Sequence, residues 1–113
     1  MPHFLVQFSY APRSVRAMVD HPDVDHAAEA SAMVASLGGT LLGYWHAFGA
    51  FDGLVLLEAP DNGVAAAVAM AIGGTGEVSR IQTTVLLNMD EAQQAMRKAA
   101  AATHLPPGEK GIR

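Results

Sequence analysis

The segment HAFGAFDG contains the residue types best suited to chemistry, because His46 and Asp52 stand on either side of an aromatic, glycine-containing turn. An imidazole titrates near neutral pH, and a nearby carboxylate can hold it in one tautomer for general base catalysis. Each residue also has a structural alternative. His46 could be a hydrogen-bonded packing residue, and Asp52 could accept hydrogen bonds from the N–H groups of its own turn, with Gly49 at positive φ. For Asp52 we favour the turn role.

A second candidate site consists of polar side chains from separate segments. Arg80 carries the planar guanidinium that suits a carboxylate, phenolate or enolate oxygen. The alternative is that Arg80 reaches solvent or forms a salt bridge with Asp52. The side chains expected to contact a ligand beside Arg80 are Gln7, Ser9, Tyr10, Tyr44 and Gln82.

The run HPDVDH collects four possible metal ligands: His21, Asp23, Asp25 and His26. It lacks zinc-like spacing, and it precedes a predicted helix, where an Asp is favoured as the N-cap. We therefore predict no metal site. The sequence contains neither GxGxxG nor GxSxG, and GGTGE lacks the lysine of a phosphate-binding loop, so we predict no cofactor.

Composition narrows the class of partner. Seven Lys and Arg against eleven Asp and Glu give a net charge of -4, which argues against nucleic acid and anionic membranes as partners. No uncharged segment reaches the ~20 apolar residues of a membrane span, and FLVQF predicts a strand rather than a signal peptide. The absence of cysteine fits a cytoplasmic protein without disulfides.

Periodicity and breaker residues predict the elements that position these side chains. In chain order they are a strand over 3–10, a helix from Pro12 that breaks at Pro22, a helix over 24–37 stopped by Gly38-Gly39, the strands TLLGYWHAF and GLVLLEA, a helix opening at 60–62, a strand over 78–87 and an amphipathic helix over 88–102. The inward stripe of the last helix is predicted to be Met89, Ala92, Met96 and Ala99.

This order is βαββαβ plus a C-terminal helix, the ferredoxin-like arrangement of the α+β class. Its antiparallel sheet has the strand order 4-1-3-2, with a hairpin turn at Asp52-Gly53. That topology brings together, at one end of the sheet, Tyr10, His46, Asp52 and Arg80.

Helices can cover only one face of the sheet, and the other face is expected to carry Leu5, Gln7, Ser9 and Gln82. We assign Tyr44, His46 and Phe48 to this open face as well, which leaves Gly43, Trp45 and Ala47 for the helices. A half-apolar open face requires a partner, so a homodimer through this face is expected.

Five segments in order resemble the GYD domain family: FLVQFSYAP, ASLGGTLLGYWHAFGAFD, LLEAPDN, RIQTTVLLNMDEAQQAM and LPPG. The resemblance implies a dimeric α+β barrel. It implies no catalytic residues. From the sequence we assign a domain over 1–103 and a C-terminal tail over 104–113. The chain departs from the family at Phe51, where a tyrosine is usual, and at His26, where a basic residue such as arginine is common.

The predicted function is binding of a small organic molecule in a pocket on the open sheet face of a homodimer. One alternative is a cofactor-independent isomerase, cyclase or oxygenase acting on an aromatic or polyketide-like compound, which is suggested by analogy of fold. The other alternative is an assembly protein without a ligand.

Overall fold

The computed structural model describes residues 1–103, which form four strands and four helices. The elements are β1 (His3–Tyr10), α1 (Pro12–Asp20), α2 (His26–Ser36), β2 (Thr40–His46), β3 (Gly53–Glu58), α3 (Asn62–Gly73), β4 (Val78–Leu86) and α4 (Met89–Ala100). The strands pair antiparallel in the order β2-β3-β1-β4. The predicted ferredoxin-like α+β fold and its strand order are confirmed. The predicted tail, 104–113, lies outside the described residues.

Local signals set the helix boundaries. The helix break predicted at Pro22 is present, since α1 ends at Asp20 and α2 begins at His26. The Oδ1 atom of Asp25 caps α2 by accepting a hydrogen bond from Ala28 N at 3.0 Å. Gly38 ends α2 with φ 94°, as predicted, because glycine adopts the left-handed conformation without a steric penalty.

The hydrophobic core lies between one face of the sheet and the helices. Alternate residues of β1 and β3 point to this side and meet α2 and α3. The fully buried large side chains are Phe4, Val6, Val34, Leu57 and Val68. Each such side chain stabilises the fold by about 1.5–3 kcal/mol relative to exposure. The opposite face of the sheet is the open face.

A β-bulge in β2 changes which side chains face the helices. Leu41 pairs with Leu57, but the next paired residue of β2 is Gly43, which lies opposite Leu56. Leu42 is therefore an extra residue in β2 that has no partner in β3. Beyond the bulge, Tyr44 points to the helix side and Trp45 to the open face, where it pairs with Leu54.

The predicted division of β2 is therefore wrong. Tyr44 and His46 lie on the helix side of the sheet, and Trp45 lies on the open face with 51% of its surface exposed. The prediction assumed unbroken alternation along β2. One inserted residue reverses every following side chain, because strand side chains alternate with a period of two.

The hairpin between β2 and β3 also differs from the predicted turn. Its loop spans residues 47–52, and Gly53 is the first residue of β3 rather than part of a tight turn. Among residues 1–103, positive φ occurs at Gly38 and Gly76, so the expected positive φ at Gly49 is wrong.

Helix α4 is present as predicted, but its predicted packing against the core is not observed. It begins with a capping box formed by Asn88 and Glu91, and none of its residues is buried. Met89 is 76% exposed and Met96 is 66% exposed, so the prediction that this stripe faces inward is wrong. An amphipathic pattern indicates that a helix has an apolar face; it does not say which surface covers that face.

None of the helices within residues 1–103 is both long and apolar enough to cross a membrane.

Candidate functional site

The residues predicted to form one site fall on two faces of the sheet. Tyr10, Tyr44 and His46 come together on the helix side. The remaining predicted contact residues alternate with the core-facing side chains of their strands and therefore lie on the open face. They are Gln7, Ser9, Arg80 and Gln82. The sheet separates the two groups, so they cannot line a single pocket within one chain.

Two tyrosine hydroxyls meet at the centre of the helix-side group. The Oη atoms of Tyr10 and Tyr44 are 2.6 Å apart, and Tyr10 Oη lies 3.3 Å from His46 Nδ1. The ring of Phe8 supports both tyrosines edge-on, with centroid distances of 5.4 Å to Tyr10 and 5.9 Å to Tyr44. Such T-shaped pairs are the favoured aromatic geometry, so the phenols are held in fixed positions.

Burial raises the pKa of both phenols. Desolvation is the main cause that raises the pKa of Tyr10, and the hydrogen bond to Tyr44 adds to it. Desolvation also raises the pKa of Tyr44, and the charges of Glu77 and Glu29 act in the same direction, whereas the Tyr10 hydrogen bond acts against it. Both side chains therefore act as neutral hydrogen-bonding groups at physiological pH.

An alkaline titration should show the raised pKa of both phenols directly, since Tyr10 and Tyr44 are the two tyrosines of the whole chain. Because their folded pKa values are raised, their contribution to stability is present below the unfolded value of about 10 and is lost as pH rises through the folded values. We expect tyrosinate absorbance to appear well above pH ~10 and together with unfolding. Ionisation of both phenols near their ordinary pKa in folded protein would contradict the geometry.

Asp52 connects the hairpin loop to β1. Its Oδ2 accepts a hydrogen bond from Tyr10 N at 3.0 Å, and its N–H donates to Phe8 O at 2.9 Å. Its carbonyl accepts from Ala47 N at 2.7 Å across the loop. The carboxylate thus serves a structural role, but its hydrogen-bond partner is β1 rather than the loop's own backbone.

Arg80 contacts the same loop from the open-face side. Its Nη2 donates to Ala50 O, and its guanidinium carbon stands 4.3 Å from the ring centroid of Phe51. This cation–π contact and hydrogen bond hold the guanidinium against the hairpin. Arg80 therefore has partners other than solvent and Asp52, the two alternatives considered from the sequence.

A cleft of about 400 Å³ opens between α1, α2 and the sheet, with the tyrosine pair in its wall. Helix α1, which forms one side of this cleft, has no buried residue. A second cavity of about 200 Å³ continues inward and is lined largely by core side chains. The two cavities share Tyr10, His26, Glu29, Tyr44 and Glu77.

Hydrogen bonds to two backbone carbonyls fix the mouth of this cleft. Ala11 N and Ser14 Oγ both donate to Glu77 O at 2.8 Å, and Arg13 Nη2 donates to Gly76 O at 2.8 Å. These bonds attach the start of α1 to the loop before β4. Sequence reasoning missed Glu29, Glu77 and Arg13, because their shared position depends on contacts between segments distant in the chain.

Part of the HPDVDH segment lines the cleft. His21 and His26 line it, while the carboxylate of Asp25 caps α2. Within the part of the chain that the structure describes, no group of three or more His, Asp or Glu side chains could hold a metal ion.

The fold and the cleft define a ferredoxin-like α+β protein with its cavity on the helix side of the sheet. The chain belongs to the GYD domain family, whose model matches residues 4–96. Among solved structures, the crystal structure of FFRP-DM1 is similar, with 14% identity, a TM-score of 0.54, and coverage of 77% of this chain and 100% of that chain.

A second similar structure is an uncharacterized NIPSNAP-like domain protein from Burkholderia xenovorans, with 17% identity and a TM-score of 0.48. It covers 94% of this chain and 91% of its own. No curated protein matches the sequence. At such identities the likeness concerns the fold alone.

Proposed function

We propose that this protein binds a small organic molecule in the helix-side cleft, and that it does so as a homodimer joined through the open sheet faces. The observation that supports ligand binding is the pair of hydrogen-bonded phenols in the wall of a cavity of about 400 Å³. Ligand sites typically occupy ~300–1,000 Å³ and combine an apolar lining with a few fixed polar groups. The outer cavity has a volume in this range and carries polar groups, and the inner cavity that continues from it supplies the apolar lining.

The tyrosine pair offers a defined hydrogen-bonding pattern to a ligand. One phenol donates to the other at 2.6 Å, which leaves one hydroxyl proton for a third group. That proton can go to His46 Nδ1 at 3.3 Å or to a ligand acceptor. The inner cavity supplies apolar walls, including Met33, Leu41 and Ile72, for the ligand's body.

The homodimer is supported by the open face itself. Strand pairing places Trp45 of β2 beside Leu54 of β3, and Leu5 of β1 beside Leu56 of β3. The two pairs are neighbours on the open face. These side chains form a contiguous apolar patch without a charged side chain at its centre, the kind of surface that marks an interface. The sequence-based expectation that Gln7, Ser9, Arg80 and Gln82 contact a ligand on this face stays a prediction.

Filling the cleft should weaken ligand binding. Ala17 lines the outer cavity, so Ala17→Trp would occupy the space with an indole. After a thermal-shift screen of small aromatic compounds identifies a ligand, we expect Ala17→Trp to weaken its binding by about tenfold or more, measured by calorimetry. The control is Ala35→Trp on the exposed surface of α2, which should bind normally. Equal binding by both variants would contradict the cleft as the site.

One observation favours a second candidate, a cofactor-independent enzyme of isomerase, cyclase or oxygenase type. Tyr10 Oη contacts His46 Nδ1, so the imidazole could exchange a proton with the phenol pair. In that case His46→Phe should reduce turnover by about 100-fold or more, whereas a pure binder would lose only modest affinity. The third alternative, an assembly protein, predicts that no small molecule shifts the melting temperature.

A further inference from the structure

Acidic side chains outnumber basic ones along the cleft. Its two cavities share Glu29 and Glu77, and among the residues within 1–103 that line the inner cavity neither Lys nor Arg is present. We infer that the ligand of this cleft is a cation, an organic amine with an apolar body, and not the anion that the sequence suggested through Arg80. This inference rests on the proposed ligand-binding function.

Arg13, the one arginine among the described residues that line the outer cavity, does not offset both glutamates. Arg13 lines only the outer part, and its Nη2 donates to Gly76 O at 2.8 Å. Arg80 lies on the other side of the sheet, against Ala50 and Phe51. His21 lines the outer cavity, and His26 lines both cavities.

Both carboxylates line the cleft beside Tyr44 and act on that phenol, which places them within electrostatic range of a ligand bound there. Their charges raise the pKa of Tyr44, after the larger effect of desolvation. A neutral phenol cannot compensate an anion's charge, but its oxygen accepts a hydrogen bond from an ammonium group and its ring face attracts a cation. The polar wall is therefore better matched to an ammonium group than to a carboxylate.

The apolar part of the ligand is set by the inner cavity. Its walls include Phe8, Val34, Val55 and Val78, all supplied by the core or its border. A flat aromatic or branched aliphatic body would pack there, with the amine directed towards Glu29 and Glu77. Because both carboxylates are exposed, each should contribute only modestly.

Three probes with one indole body and different charge test the inference: tryptamine as cation, tryptophol as neutral compound and indole-3-acetate as anion. Titration calorimetry at low salt should give the tightest binding for tryptamine, about tenfold tighter than indole-3-acetate, with tryptophol between them. The preference should shrink as salt is added, because the carboxylates are open to solvent.

Variants then assign the preference to the two carboxylates. Glu29→Gln and Glu77→Gln should each weaken tryptamine binding about threefold and leave tryptophol unchanged. The matched control Glu58→Gln, at the end of β3 beside the N-terminus, should change neither. Indole-3-acetate binding as tightly as tryptamine, or full tryptamine affinity in the double variant, would overturn the inference while leaving ligand binding intact. Failure of all three probes to bind would overturn the inference, whereas the proposed function is overturned only if no compound of the thermal-shift screen binds.

Discussion

Trp45→Glu is expected to convert the proposed dimer into a monomer. Trp45 is the chain's one tryptophan, and it lies on the open face beside Leu54 with its ring packed over Gly43. A glutamate there would place an unpaired charge inside the apolar patch, which is strongly unfavourable once water is excluded. We expect the dimer dissociation constant to rise by about 30-fold or more.

Light scattering coupled to size-exclusion chromatography at micromolar concentration measures the molar mass and so distinguishes dimer from monomer. Phe48→Glu is the matched control, because Phe48 is a fully exposed aromatic residue in the hairpin loop. It should leave the dimer intact. Trp45 also provides a direct signal, since its emission should shift to longer wavelength when wild-type protein is diluted below the dissociation constant. A wild-type monomer at micromolar concentration, or a dimeric Trp45→Glu, would contradict the interface.

Gly53→Ala is expected to destabilise the fold and displace the tyrosine pair. A Cβ atom at this position would stand 2.7 Å from Phe8 Cε2 and 3.0 Å from Tyr10 Oη. Phe8 is buried in the core, so its ring has little room to move. Overpacking of this kind costs about 1–3 kcal/mol in the free energy of unfolding.

Urea denaturation measures the loss of stability, and the alkaline tyrosinate titration measures the displacement of Tyr10. Gly49→Ala is the matched control in the adjoining loop, where a Cβ atom would meet nothing within 4 Å. It should alter neither quantity. If Gly53→Ala were as stable as wild type and kept its phenols protonated, the close packing of β3 against Phe8 and Tyr10 would be wrong.

Several features were predictable because their causes are local. Pro22 interrupts a helix wherever it stands within one, and a glycine at the position of Gly38 ends a helix by its conformational freedom. Asp25 precedes an alanine-rich helical segment and caps it. The predicted strands follow the alternation of apolar side chains, and the strand order follows from the βαββαβ sequence of elements.

The candidate site was less predictable, because its residues depend on contacts between distant segments. Tyr10, Tyr44 and His46 were each identified as candidates, but on the assumption that they share a pocket with Arg80 and Gln82. Glu29 and Glu77 were not identified, since neither stands in a motif. They approach the tyrosines only when α2 and the start of β4 are both in place.

By itself the sequence determined the order of the elements, the breaks between them and the family, because backbone preferences and apolar periodicity are properties of short segments. The tertiary structure decided which face each side chain of β2 occupies. Leu42 is an extra residue only relative to β3, and a bulge exists only when two strands are paired. That single residue turns Tyr44 and His46 towards the helices and Trp45 towards the open face, which separates the cleft from the proposed interface.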